Sequence, residues 1–293
     1  MDERLYTLDV NNLTVLTKEE KHLALNALEC GQVVYFPGYS FNLQVSEQNT
    51  LLTDNILDGK HKNVSFDYQK QRLGGFHQQN NDSLTAILHS FMQRYSTFAR
   101  NLIETLFPQY QDALQWGRTS YRPAEVKGRV SSKRKDDTRL HVDSFPATPV
   151  NGRRILRVFT NINPYGKPRI WHLGERFDQV IARFAASIPA YNLNRAKILH
   201  WFKATKTLRS AYDHYQLHLH DQMKLNDNYQ HSVSKQRVDF PAQSTWIVFT
   251  DQVSHAALGG QYLLEQTFYL PVSAMDNPHL SPLKHWEKEK SIA

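Results

Sequence analysis

A single cysteine, Cys30, stands in 293 residues. An internal disulfide is therefore excluded, and the chain suits a reducing, cytoplasmic compartment. Cys30 itself falls at a predicted helix end and reads as a small apolar filler. Long apolar runs are missing too: none approaches the roughly 18 residues a membrane span needs, and the opening Met-Asp-Glu-Arg leads into no signal-peptide core. The chain has no Walker loop, no dinucleotide fingerprint, no Gly-x-Ser-x-Gly elbow and no Cys-x-x-Cys pair. Nucleotide-cradling, serine-hydrolase and thiol-redox chemistries lose their usual supports. Acidic residues are in deficit, 28 against 35 Lys and Arg, for a net charge of +7. An excess of that sign favours an anionic partner: nucleic acid, an acidic membrane face or a polyanionic small molecule.

What is present is ordinary for a soluble globule, with 40% hydrophobic and 22% charged residues. A chain of this length buries enough surface to need no covalent staple. Neither a repeat nor a linker divides it. We expect one domain over residues 1–275 and a C-terminal extension, 276–293, that is mobile or packed down.

Thr17-Lys18-Glu19-Glu20 is a capping box opening an amphipathic helix, with Gly31 at its C′ position. Val33 to Phe36 reads as a buried strand closed by Pro37-Gly38. Residues 46–82 are polar and predict loops with a short strand or two. From 83 to 107, Leu84, Ile87, Leu88, Phe91, Tyr95, Phe98 and Leu102 step by three and four, predicting a helix that backs a sheet, capped within Asn81-Asp82-Ser83 and stopped by Pro108. A strand ends at Arg122-Pro123. The basic stretch 126–139 reads either as a surface loop or as an anion-binding flap. Residues 153–162 form a strand with Ile155, Arg157, Phe159 and Asn161 on one face. Two helical segments follow, 175–188 and about 195–225, the second striped by Leu208, Tyr212, Tyr215, Leu219 and Met223. We take about 172–226 as a helical insertion between two sets of strands. The last strands are 237–240, 245–250 and 266–271. Without a βαβ rhythm, this order predicts a mainly β, α+β fold: an antiparallel barrel-like sandwich flanked by helices.

Within that frame His141 and Asp143, two apart on an extended segment, face the same way. His255, just past an apolar strand, completes a two-His-one-carboxylate set that binds Fe(II) on one side and leaves coordination positions open. Chance supplies about one His-x-Asp in a chain of this composition, so the doublet is informative only with its surroundings. A rival set, His214, His218 and Asp221, shares one helix face, but lacks the Glu of a metalloprotease helix and reads as a solvated polar face.

The opening Val33-Val34-Tyr35-Phe36-Pro37-Gly38, the block Leu140-His141-Val142-Asp143-Ser144-Phe145-Pro146, and the run from Gly152 to Pro164 together resemble the Kdo hydroxylase family, a bacterial branch of the Fe(II)/2-oxoglutarate dioxygenases. The resemblance spans about residues 5–275. It implies a double-stranded β-helix (jelly-roll) core, with His141, Asp143 and His255 holding iron and with 2-oxoglutarate and O2 as co-substrates. It also implies 3-hydroxylation of the Kdo sugar of Kdo–lipid A in lipopolysaccharide. The enzyme would then work in peripheral contact with the cytoplasmic face of the inner membrane, with no obligate protein or nucleic-acid partner. Many relatives in the wider superfamily grip 2-oxoglutarate with a basic residue about ten positions after the distal His. Here Gln266 stands at that spacing, and no Arg or Lys follows until Lys284. Arg157 is the first replacement, because its planar fork matches a carboxylate; Arg122 is the second. Arg169, Trp171 and His172 are expected to meet the sugar. A hydroxylase acting on protein or nucleic acid, and a jelly-roll that binds without turnover, are the competing readings.

Overall fold

The computed structural model describes residues 4–77, 82–128 and 131–291. In chain order the elements are β1 (Leu5–Thr7), α1 (Lys18–Glu29), β2 (Val33–Phe36), α2 (Val45–Leu51), β3 (Val64–Asp67), β4 (Arg72–Gly74), α3 (Asp82–Leu106), β5 (Gln115–Arg122), β6 (Arg154–Asn161) and β7 (Arg169–Leu173). There follow α4 (Phe177–Phe184), α5 (Leu193–Trp201), α6 (Ala211–Leu225), α7 (Asp227–Ser232), β8 (Gln236–Phe240), β9 (Ser244–Phe249), β10 (His255–Gly259), β11 (Leu263–Leu270) and α8 (Pro282–Lys290). The strands form one large sheet, ordered β1-β2-β9-β6-β11-β5-β3-β4, and one small sheet, β10-β7-β8. The architecture is mixed, a large sheet and a small one with eight α-helices among the described residues, so the chain is less dominated by β structure than the mainly β expectation, because the long α3 and the helices between β7 and β8 outweigh the short strands. No described helix is long and apolar enough to cross a membrane.

Local signals account for the first layer. Thr17 Oγ1 accepts the Glu20 N–H at 3.2 Å while Glu20 accepts the Thr17 N–H at 2.8 Å, so two end groups of α1 are satisfied reciprocally. Gly31, at φ +83°, then turns the chain into β2, in a left-handed conformation that glycine adopts without a Cβ penalty. The apolar stripe of α3 is buried at Leu84, Leu88, Phe91, Tyr95 and Leu102, with Ile87 and Phe98 on its flank. Tyr95 drives its hydroxyl into the sheet, donating to Val158 O at 3.1 Å. The helix thus backs β6 and β11 from behind, and it sets their opposite face toward the small sheet. Between the sheets pack Phe159, Trp171, Phe240, Trp246, Val248 and Leu263. Asn81, part of the expected α3 cap, and Arg129-Val130 of the basic stretch lie outside the described residues.

Four helices, α4 to α7, occupy the chain between β7 and β8. The second predicted helix is interrupted: α5 ends at Trp201, Lys203 takes a left-handed φ of +58°, and α6 starts only at Ala211. Leu208 therefore stands exposed outside the stripe, whereas Tyr212, Tyr215, Leu219 and Met223 are buried. The C-terminal segment is packed down. Trp286 is fully buried and donates to Gln216 Oε1 at 3.0 Å, and the N–H groups of Asp276 and Asn277 donate to Glu29. Cys30 is exposed at the α1 C-cap rather than filling the core, because the C-cap turn directs it outward and Gln252 packs against Gly31 beside it.

Candidate metal centre and its cavity

His141 and His255 pair directly across the edge of the small sheet. The His141 N–H donates to His255 O at 3.0 Å, and the His255 N–H returns the bond at 2.9 Å. Asp143 is held by its own N–H, which donates to Thr250 O at 2.7 Å. Gln230 of α7 clamps the preceding residue, accepting the Leu140 N–H and donating to Leu140 O, both at 2.9 Å. Helix α7 thereby fixes the segment that carries the doublet.

Each imidazole is oriented by a carbonyl two residues away. Nδ1 of His141 lies 2.8 Å from Arg139 O, and Nδ1 of His255 lies 2.8 Å from Val253 O. A carbonyl only accepts, so Nδ1 carries the proton and Nε2 keeps its lone pair. The ligand atoms of His141, Asp143 and His255 all lie within 4.8 Å of one another. Among the described residues no other group of three such side chains is close enough to hold one ion. The three are 5%, 9% and 6% exposed. Burial, reinforced at His141 by the neighbouring imidazole, holds both histidines below their usual range and so neutral. Burial opposes the charge on Asp143, yet the Arg157 guanidinium beside it keeps its carboxyl well below the ordinary range. Trp171 stacks on His255 at 5.1 Å, and His220 abuts His141 edge-on at 5.5 Å. Two neutral rings with free Nε2 and one ionised carboxylate fit a divalent iron in donor type and charge. Asp143 Oδ2 fits as well, since it is buried and has no hydrogen-bond partner. Arg157 Nη2 is 3.0 Å from that oxygen but off the line of a hydrogen bond, so we read the contact as an ion pair only.

The triad walls a cavity of about 150 Å³ that Arg122, Arg157, Arg169, Trp171, Phe159 and Glu265 also line. Glu265 bridges two of the arginines, accepting from Arg122 at 2.6 Å on one oxygen and lying 2.9 Å from Arg157 on the other. Those arginines hold its carboxyl low against the effect of burial. On the far side of Arg122, Arg157 and Glu265 a groove of about 550 Å³ continues past Arg118, Lys70, Lys206, Phe145 and Tyr269.

The sequence-predicted residues His141, Asp143, His255, Arg157, Arg122, Arg169 and Trp171 all reach this one cavity. His172 does not. Side chains alternate along β7, so it points to the opposite face, in register with Arg237. Gln266 turns away as well, accepting from Thr119 Oγ1 at 2.5 Å. Sequence reasoning missed Glu265, the cavity-facing neighbour of Gln266. The signal was available in strand alternation, because a shift of one residue exchanges the faces. In the rival set the His214 and His218 rings pack with centroids 4.4 Å apart, but His214 donates to Pro189 O at 2.9 Å and Asp221 meets His220 and Arg134, so among the described residues the three do not gather around one ion. His214 is buried, so that helix face is not uniformly solvated.

Six histidines, His141, His172, His214, His218, His255 and His285, sit below their usual range, with burial the leading cause for each. Each binds fewer protons folded than unfolded. Their contribution is complete above the unfolded value of about 6.5 and is lost as the pH falls below it. Calorimetry of metal-free protein should show the melting temperature dropping as the pH is lowered from about 7.5 to about 5.5. A flat profile would contradict the neutral state of these buried and half-buried rings.

Two neutral imidazoles and a carboxylate gathered on one side of a buried cavity are the donor set of a non-haem Fe(II) oxygenase. The chain belongs to the 3-deoxy-D-manno-oct-2-ulosonic acid (Kdo) hydroxylase family, whose model matches residues 12–291. It is similar to the crystal structure of the Kdo hydroxylase KdoO, a non-haem Fe(II) α-ketoglutarate-dependent dioxygenase, in complex with cobalt(II). The identity is 42%, coverage is 99% of this chain and 97% of that one, and the TM-score is 0.95. The KdoO structure with α-ketoglutarate and Fe(III) is 41% identical over 99% and 96% of the two chains, with a TM-score of 0.93. The KdoO complex with succinate and Fe(III) is 42% identical over 99% and 97%, also at 0.93. No curated protein sequence matches the chain.

Proposed function

We propose that this protein is an Fe(II)/2-oxoglutarate-dependent dioxygenase that hydroxylates the Kdo sugar of Kdo–lipid A at C3, modifying the lipopolysaccharide core. The observation that carries the reading is the convergence of His141, Asp143 and His255, with both Nε2 atoms free. Family membership and the 42% identity to KdoO support the sugar assignment.

The core is read as a double-stranded β-helix. Support comes from strand order: the His141 segment, β10, β7 and β8 make one four-membered face, while β5, β11, β6 and β9 make the other. After β5 the chain alternates between the two faces, except at β7 and β8, which are neighbours in the small one and are joined by the helices α4 to α7; this winding fits a jelly roll. In domain terms we read residues 1–275 as one oxygenase domain, with an insertion at about 172–226 and an extension at 276–293.

His141, Asp143 and His255 would hold the iron from one side. Bound iron, with 2-oxoglutarate and O2, supplies the oxidising power to place one oxygen into a C–H bond as 2-oxoglutarate becomes succinate and CO2. The chain's own residues bind and position. Arg157 is assigned the distal carboxylate of 2-oxoglutarate, with Arg122 beside it. The Arg157 Nε–H is buried without a hydrogen-bond partner and borders the cavity, and a carboxylate would satisfy it. Glu265 keeps the two guanidiniums apart and oriented. Trp171, stacked on His255, bars water from that side of the ring. Arg169 and Trp171 would border the reacting sugar, and the wider groove with Lys70, Arg118 and Lys206 suits carboxylates and phosphates. The alternative is an oxygenase acting on another anionic substrate such as protein or nucleic acid; the same groove charge would serve it. A lipid-anchored substrate implies peripheral work at the cytoplasmic face of the inner membrane.

Anaerobic protein mixed with Fe(II) and 2-oxoglutarate should develop a metal-to-ligand charge-transfer band. Admitting oxygen with Kdo–lipid A should then add one oxygen to the lipid with matching succinate. Absence of the band would sink the oxygenase reading. A band with oxidation of a different anion, and none of Kdo–lipid A, would leave the alternative standing.

A further inference from the structure

Five of the ten large apolar side chains standing exposed among the described residues fall in one stretch: Leu193, Ile198, Trp201, Phe202 and Leu208. Trp201 and Phe202 are 77% and 70% exposed. Their rings pack on each other, with centroids 4.8 Å apart, at the end of α5. An exposed aromatic pair on a helix tip marks an interaction surface rather than a scattered surface residue. The charge there is one-sided. From residue 179 to 212 the chain holds six Lys or Arg and no Asp or Glu, in a protein whose net charge is +7. Arg183 pairs with Glu175, but Arg195, Lys197, Lys203 and Lys206 form no ion pair among the described residues. The base of the stretch is tied to the rim of the wide groove: the Lys206 N–H donates to Ala147 O at 2.9 Å, and Arg209 donates to Pro146 O at 2.8 Å. Ala147, Pro146 and Lys206 line that groove.

We propose that α5 and the turn after it, residues 193–208, dock the protein onto an anionic lipid bilayer, with Trp201 and Phe202 inserted at the headgroup level and the surrounding lysines on acidic headgroups. Apolar wedge, indole and unpaired cations together are the chemistry of an interfacial anchor. A soluble acidic protein needs a pocket shaped to the aromatic pair, whereas a bilayer receives it at the headgroup level without one; failure to float marks the protein occupant instead. Docking in this orientation sets the groove mouth against the surface from which a lipid-borne sugar would be presented. The proposal deepens the peripheral contact inferred above, yet its test needs no turnover.

The full chain is floated with vesicles of phosphatidylglycerol and phosphatidylcholine, and separately with phosphatidylcholine alone, while tryptophan emission is recorded. Wild type should float with the anionic vesicles and shift its emission to the blue; Trp171, Trp246 and Trp286 are already buried and Trp116 is half-buried, so W116F is the background in which the shift is assigned to Trp201. W201S/F202S should lower partitioning by roughly tenfold or more and remove the shift. K197E/K203E should abolish the preference for anionic vesicles, and high salt should imitate it. Both pairs alter exposed side chains, and their melting temperatures check the fold. Failure of wild type to float, or equal flotation of W201S/F202S, would overturn the proposal. So would a dimer that W201S/F202S dissociates while neither protein binds vesicles. The charge-transfer band is read on the same samples: a band without flotation removes the docking surface alone, and flotation without a band removes the oxygenase reading alone.

Discussion

Replacing His141 with alanine is expected to lower turnover by more than about a thousandfold, because one of the three protein donors that converge among the described residues disappears. The fold should survive. His141 is neutral and buried, the one hydrogen bond of its side chain runs from Nδ1 to Arg139 O, and its backbone pair with His255 does not depend on the side chain. Loss of that bond and a small void costs about 1–2 kcal/mol, a shift of a few degrees in melting temperature at this size. Asp143→Ala should be as inactive, but less stable. It strips Arg157 of one of two carboxylates in a buried place, and the remaining one, Glu265, is already shared with Arg122. Cobalt(II) titration followed by its absorption spectrum reads the site directly, independent of turnover. Wild-type cobalt affinity and full activity in H141A would mean that the centre lies elsewhere.

The second large effect concerns 2-oxoglutarate. Arg157→Lys keeps a cation between Asp143 and Glu265 but removes the planar fork and the unsatisfied Nε–H. Loss of a charge-assisted, bidentate contact is worth about 1.5–3 kcal/mol, or roughly 10- to 150-fold in the Kd for 2-oxoglutarate. Titrating the charge-transfer band measures it, with metal affinity as the control. Arg122→Lys should raise the same Kd only a few-fold, since Arg122 already spends Nε and Nη2 on Glu265, at 3.0 and 2.6 Å. If the order of the two variants is reversed, Arg122 carries the carboxylate and Arg157 serves only to hold Asp143. Lysine rather than methionine is the informative change. Removing the charge would leave two buried carboxylates facing one another, a penalty of several kcal/mol that would mask the ligand effect.

Much of the scaffold was legible from the chain. The capping box at Thr17, the glycine at 31 and the three-four stepping of the α3 stripe are local rules, satisfied by neighbours within a turn or two. The interrupted helix was not legible, because the left-handed turn at Lys203 uses no glycine or proline. The packed tail was not legible either. Trp286 is buried against α6, stacked on Tyr215 and bonded through its indole to Gln216, and those contacts span distant parts of the chain.

At the site the division is similar. The sequence by itself determined the donor types, the common facing of His141 and Asp143, and the need for an anion beside Arg157 on an apolar strand, since each follows from alternation and desolvation within a few residues. Only the tertiary structure decided that His255 lies directly across from His141, that the anions beside Arg157 are Asp143 and Glu265, and that His172 faces away. It also decided that an aromatic and basic tip stands next to the groove rather than on the far side. The reason is register. A period of two is written into each strand, but which residue meets which across two sheets is chosen by how the Phe159, Trp171 and Trp246 core packs between them, and no local rule encodes that choice.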